Sequence, residues 1–153
     1  MPDVLVLRAS IAFLVLPGIV AFAVPLLLLR PQGASFAIYA TPIVIAGIVV
    51  LGWCVYDFFV EGRGTLAPWD PPRKLVRNGL YRYTRNPMYV GVLLIIAAWA
   101  LGFRSWSILL YAVVVAVAFH LRVILGEEPW LARTFGEDWS RYASEVPRWF
   151  SMR

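Results

Sequence analysis

Cysteine and histidine are almost missing from this chain, with one of each in 153 residues. The lone Cys54 rules out an intrachain disulfide, and its place in an apolar run suits a small buried hydrophobe. One histidine, His120, does not build an ordinary zinc site, so no metal centre is expected. Charge is scarce too: 15% of residues are charged against 61% hydrophobic, and the mean hydropathy is +0.73. A soluble domain of this size does not carry so much apolar side chain, so the expected class is an all-α integral membrane protein. A GxGxxG fingerprint after a strand is also lacking, which makes soluble Rossmann-type nucleotide chemistry a poor fit.

The net charge of +5 resembles a nucleic-acid footprint until its placement is read. The basic residues sit at the ends of apolar runs, which is how membrane topology is written, and no nucleic-acid partner is expected. Four runs are long enough, or nearly so, to cross about 30 Å of hydrocarbon: 9–29, 36–60, 88–103 and 107–125. The third is short and is accommodated by small tilt or local thinning. Arg8 ahead of the first run imitates a secretory signal, but that run has the length of a span. The links near Arg30 and Arg104 carry one arginine each, whereas 61–85 carries Arg63, Arg73, Lys74, Arg77, Arg82 and Arg85. The positive-inside rule makes 61–85 a cytoplasmic loop and puts both termini on the same side, in agreement with Arg133, Arg141, Arg148 and Arg153. A bacterial inner membrane is the expected location. Pro17, Pro25 and Pro42 fall within the first two spans and are read as kinks. Small residues at Ala46, Gly47, Gly91, Ala97 and Ala98 suit close helix packing.

The segment 126–153 is expected to form an amphipathic, interfacial tail. Leu131, Phe135, Trp139, Tyr142 and Val146 repeat three or four apart, with a break expected at Gly136 and a stop before Pro147. Trp130, Trp139 and Trp149 suit the headgroup layer. The polar knot "GLYRYTRNPMYVG" opens the third span, with Asn86 and Pro87 as helix-start residues. Glu127 and Glu128 stand where the fourth span ends. The very short link between the two spans requires an antiparallel hairpin, which brings the knot and the carboxylates to one cytoplasmic site. Helix-start amides attract an anion there and the carboxylates attract a cation, so the site suits a zwitterion with an extra positive charge. Neighbouring helix positions do not face the same way, so one glutamate points inward and the other meets water or an arginine. Asp57 is expected to pair with a basic loop residue.

"LVRNGLYRYTRNPMYVG", followed by "GEEPWLARTFGEDWSRYASEVPRWF" and preceded by "GTLAPWDPP", resembles the isoprenylcysteine carboxyl methyltransferase family and its bacterial relatives, a group that includes phospholipid N-methyltransferases. The resemblance covers about residues 64–149. It implies a membrane-embedded methyltransferase using S-adenosyl-L-methionine (SAM), with a lipophilic acceptor reaching the site from the bilayer. By position it places Leu75, Val76, Tyr81, Asn86, Pro87, Met88, Tyr89, Glu127 and Glu128 at the cofactor. Two departures stand out. Asn86 occupies a position where the family commonly has histidine, and Val123 stands four residues before the first glutamate, where the prenylcysteine enzyme has a substrate arginine. Arg122 is next to Val123, about 100° away around the helix. Arg122 and His120 are the candidate catalytic residues, one as a cation beside a carboxylate acceptor and the other as a base for an amine. Three rivals remain: a phospholipid N-methyltransferase, a membrane reductase using NADPH, and a non-enzymatic membrane protein whose knot is a helix start and whose tail is an anchor.

Overall fold

The computed structural model describes residues 17–29, 35–57, 60–61 and 74–150. The beginning of the first expected span, most of the basic loop with Arg63 and Arg73, and Arg8, Arg30 and Arg153 lie outside them. Among the described residues every regular element is helical. A π turn, Ile19–Ala23, leads into α1 (Val24–Leu28), where Pro25 has no N–H to offer the carbonyl four residues back. The widened turn, closed by the Val24 N–H on the Ile19 carbonyl, is the local adjustment that proline demands. α2 (Thr41–Asp57) follows a 3₁₀ turn, Ile38–Ala40. Pro42 falls in the first turn of α2, where a missing N–H costs nothing, so it starts the helix rather than kinking it.

α3 (Pro87–Gly102) and α4 (Trp106–Arg122) make the expected hairpin. Ser105 caps α4 by accepting the Ile108 N–H at 3.3 Å, and Arg104 turns the chain with a φ of 50°. From Arg122 the helix continues through a second π turn, Val123–Glu127, into α5 (Glu128–Phe135). Gly136, with a φ of 52°, breaks the tail before α6 (Glu137–Glu145), at the position its glycine predicts.

Two of these helices are long and apolar enough to cross a bilayer: Ile38–Asp57, with 20 residues, and Trp106–Phe135, with 30. Ile19–Leu28 and Pro87–Gly102 are shorter apolar helices. The 16 residues of α3 reach about 24 Å, less than the hydrocarbon thickness of about 30 Å. Ile45, Val49 and Trp53 on α2, and Leu110, Val113 and Val117 on α4, are exposed. Such an apolar surface belongs in lipid.

The core lies where α3 is surrounded, around Leu51, Val92, Ile95, Ile96, Ile108 and Val115. α2 approaches α3 closely because Gly47 and Gly91 face each other. A Cβ on Gly47 would lie 2.6 Å from Ile95 Cγ1 and 2.9 Å from the Gly91 carbonyl oxygen, which is backbone and cannot swing away. Gly47→Ala is therefore expected to destabilise the protein by about 1–3 kcal/mol, read as a lower melting temperature in detergent.

The tail's apolar stripe is covered by the same chain. Trp139, Tyr142 and Val146 are buried and pack with Leu75, Leu131 and Phe135. The stripe covers the 75–86 segment of the same chain, and Trp139 lies under the Arg85 guanidinium, 5.4 Å from its ring centroid. The physical reason is that an apolar stripe buried on protein also serves a cation and several backbone hydrogen bonds nearby, which lipid does not provide.

Candidate functional site

The knot is built around one 3₁₀ turn, Gly79–Arg82. Gly79 has a φ of 58°, and a Cβ there would run into the Asp57 carboxylate. Asp57, buried at the end of α2, sets its carboxylate against the backbone of this turn, and no ion pair to a cation is seen for it among the described residues. Tyr81 is thereby placed in a buried group with Val76 and Cys54, flanked by Met88. Burial pushes the Tyr81 phenol well above its ordinary range, so it stays protonated.

Asn86 opens α3 with Pro87 at the first helical position, but its side chain does not cap the helix. Its Nδ2 donates to the Arg148 carbonyl at 2.9 Å, and the Thr84 hydroxyl donates to the same oxygen at 3.1 Å. The Arg85 N–H donates to the Pro147 carbonyl at 3.0 Å, and the Tyr142 hydroxyl donates to the Tyr81 carbonyl at 2.8 Å. Together these bonds strap residues 142–148 across the mouth of α3.

The two glutamates diverge, and both meet arginine. Glu127 Oε1 accepts from the Tyr89 hydroxyl and from Arg122 Nε, the latter at 2.8 Å, while Arg122 Nε also reaches the Tyr89 oxygen at 3.1 Å. Tyr89 is buried, with its ring 4.3 Å from that of Phe119. Glu128 accepts both forks of Arg148, at 2.7 and 2.8 Å, and Arg85 Nη1 at 3.0 Å. Burial works against the Glu128 charge, but the Arg148 hydrogen bonds and the nearby Arg85 and Arg148 charges outweigh it and hold the carboxyl below its usual range. A depressed carboxyl pKa contributes stability that is complete above the unfolded value and is lost as pH falls through the folded one. The difference in melting temperature between wild type and Glu128→Gln is thus expected to hold through neutral pH and to close below about pH 4, near and under the ordinary glutamate value.

His120 lies on the other side of α4. Its Nδ1 accepts the Trp149 indole N–H at 3.1 Å. A groove of about 490 Å³ runs from there between α3 and α4, lined by Val90, Leu93, Leu94, Ala97 and Ala116 and headed by His120 and Trp149. The α3 members recur at i, i+3, i+4 and i+7, one face of a helix.

The expected site residues thus fall into neighbouring groups. Val76, Tyr81 and Met88 share one cluster, whereas Leu75 packs with the tail. Tyr89, Glu127 and Arg122 meet, Glu128 belongs to the strap, and His120 heads the groove. Thr84, Arg85, Arg148 and Trp149 belong to this arrangement although none is among the expected site residues; in the sequence Arg85 is singled out only within the knot and Trp149 only for the headgroup layer. Arg85 and Arg148 read there as topology charges, and their only local signal is a place beside Asn86 and Pro147. Among the described residues no acidic, histidine or cysteine cluster suited to a metal is present.

Residues 33–138 match the model of a family described as phospholipid methyltransferase. A curated relative, the protein-S-isoprenylcysteine O-methyltransferase of Schizosaccharomyces pombe, is 36% identical over 78 residues, covering 48% of this chain and 31% of the relative. The chain therefore spans about a third of that relative's length in the matched region. No solved structure matches the chain significantly. With the family's model spanning well over half of it, this chain belongs to the phospholipid methyltransferase family.

Proposed function

We propose that the protein is a SAM-dependent membrane methyltransferase that modifies a lipophilic acceptor. The observation that carries this reading is the meeting of Glu127 with Tyr89 at the head of α3, a helix that also lines an apolar groove against α4. The residues present fit the cofactor by the chemistry of their donor set. Glu127 offers a carboxylate for its ammonium, and Val76, Tyr81 and Met88 offer an apolar wall for adenine. Arg85 Nε, buried and without a partner among the described residues, offers a donor for its carboxylate.

When bound, the cofactor supplies a sulfonium methyl group, which leaves with the S–CH₃ electron pair on sulfur while the acceptor's lone pair forms the new bond. The chain's own work is to hold the partners in line and to keep water away. Tyr89 fixes the Glu127 carboxylate, and the strap over α3 covers that end of the site. Leu93, Leu94 and Ala97 offer the acceptor's chain a bed at membrane depth, and the bilayer lipids are the surrounding solvent.

His120 bears on which acceptor is used. Because the Trp149 N–H occupies Nδ1, the neutral imidazole carries its hydrogen on Nε2 and presents a donor rather than a base. That arrangement favours an acceptor that arrives ionised, such as a carboxylate, over an ammonium that has to lose a proton. The family match supports the second reading, methylation of a phospholipid amine. The basic residues of 61–85 and of the tail support four spans with both termini and the site on the cytoplasmic side.

The test is methyl transfer from tritiated SAM by the purified protein, offered a prenylated N-acetylcysteine in one reaction and phosphatidylethanolamine vesicles in another. Label in the first product as a base-labile ester is the expected result. Label in the amine lipid alone selects the second reading, and label in neither, with folded protein, removes both acceptors.

A further inference from the structure

Residues 147–149 are held by different neighbours. Pro147 gives its carbonyl to the Arg85 N–H, and the Arg148 carbonyl takes the Thr84 hydroxyl and the Asn86 amide, all at the mouth of α3. Trp149 turns to α4 instead, where its indole N–H donates to His120 Nδ1 at 3.1 Å, with the two rings 6.2 Å apart. Among the described residues no other hydrogen bond holds the chain beyond Arg148. Trp149 and Phe150 also line the groove, whose other walls are α3 and α4. Two of its three walls are therefore helices of one packed hairpin, and the third is the end of the strap. Phe150 is exposed, so the indole is the part of that third wall with a fixed orientation.

We propose that Trp149, latched on His120, is a positioning residue that couples the groove to the strap. This rests on the reading of the groove as the acceptor's bed given above. A lipophilic chain in the groove packs on the indole and holds residues 147–150 down, and a strap held down completes the wall on which the chain lies. In lipid, apolar surface gains little by leaving its solvent, so the chain's hold depends on close packing and therefore on the shape of that wall. The His120 bond supplies the shape: an indole has a large flat face and few rotatable bonds, and one hydrogen bond to its N–H fixes the ring. Without the bond the ring turns away and the groove loses its third wall. The coupling is mutual, so the factor by which the chain tightens the strap is the factor by which the closed strap tightens the chain. A hydrogen bond with a structural role alone would hold the strap equally with the groove empty or filled.

Trypsin reads the strap directly, because the Arg148–Trp149 bond that it cuts carries the carbonyl held by Thr84 and Asn86. Cutting there is followed by mass spectrometry of the purified protein in detergent, without cofactor, while calorimetry gives the affinity of the probe, a prenylated N-acetylcysteine. In wild type, saturating probe is expected to slow the cut about 5- to 10-fold. Trp149→Phe keeps a ring and loses the N–H; it is expected to be cut about 3- to 10-fold faster with the groove empty and to be slowed less than about 2-fold by the probe. His120→Asn, whose amide oxygen stands near the place of Nδ1, is expected to keep the protection, and His120→Leu to lose it. Melting curves check that each variant folds. Equal protection of wild type and Trp149→Phe, or probe binding to wild type with no slowing, overturns the latch alone. Failure of folded wild type to bind the probe overturns the acceptor-bed reading and this proposal with it.

Discussion

Alanine in place of Glu127 is expected to weaken S-adenosylhomocysteine binding about 100-fold while the protein still inserts and folds. A hydrogen bond to a charged group is worth about 1.5–3 kcal/mol, and about 2.8 kcal/mol corresponds to a hundredfold change in affinity. The fold tolerates the change because the charged partner left behind, Arg122, is 55% exposed and turns to water instead of remaining as a buried unpaired charge, while the other, the Tyr89 hydroxyl, is within reach of Arg122 Nε. Calorimetry gives the affinity, and size-exclusion profiles in detergent check the fold. Unchanged affinity removes Glu127 from the site.

Glu128→Ala is expected to act in the opposite way, on stability first. It strips Arg85, whose side chain is 12% exposed, of its carboxylate, and it deprives Arg148 of a two-pronged partner. Breaking a fully buried pair costs about 3–5 kcal/mol; here Arg148 is 36% exposed, so the expected loss is about 2–3 kcal/mol. The strap over α3 depends on the Arg148 carbonyl held by Thr84 and Asn86, so protease cleavage in 142–150 should accelerate together with the fall in melting temperature. A stable variant with an uncut tail would mean that Trp139 and Tyr142 hold the tail by burial alone. Adjacent glutamates thus have separable roles, one read as ligand affinity and one as stability.

Much of this arrangement is local enough to be legible in the sequence. Pro87 begins α3, Gly136 divides the tail, and the short link after Gly102 forces the hairpin that brings the knot to the glutamates. Each follows from a steric rule that acts within a few residues. Long-range partners are a different matter. Asn86 has a helix-start sequence context, yet its amide is spent on a carbonyl 62 residues away. Trp139 has the composition of a membrane-surface residue, yet it is buried beneath Arg85. Periodicity shows that a stripe is apolar and does not show whether protein or lipid covers it.

Arg122 illustrates a third kind of difficulty. An ideal helix drawn from the sequence gives every residue 100° and sets Arg122 apart from Glu127, about 140° away. The π turn changes that arithmetic locally, and nothing in "RVILGEE" announces it. The resemblance left open whether the arginine neighbouring Val123 faces the site. The widened turn brings it to Glu127, with Nε at 2.8 Å from the carboxylate.

The most direct single measurement is a calorimetric titration of the purified protein in detergent with S-adenosylhomocysteine, alongside an identical titration with NADPH. Saturable binding of S-adenosylhomocysteine at one site, with no heat from NADPH, is the predicted result. Binding of NADPH alone would move the protein to reductase chemistry. Binding of neither, by a sample whose cooperative melt shows that it is folded, would contradict a cofactor site at Glu127 and leave the knot and tail as structure.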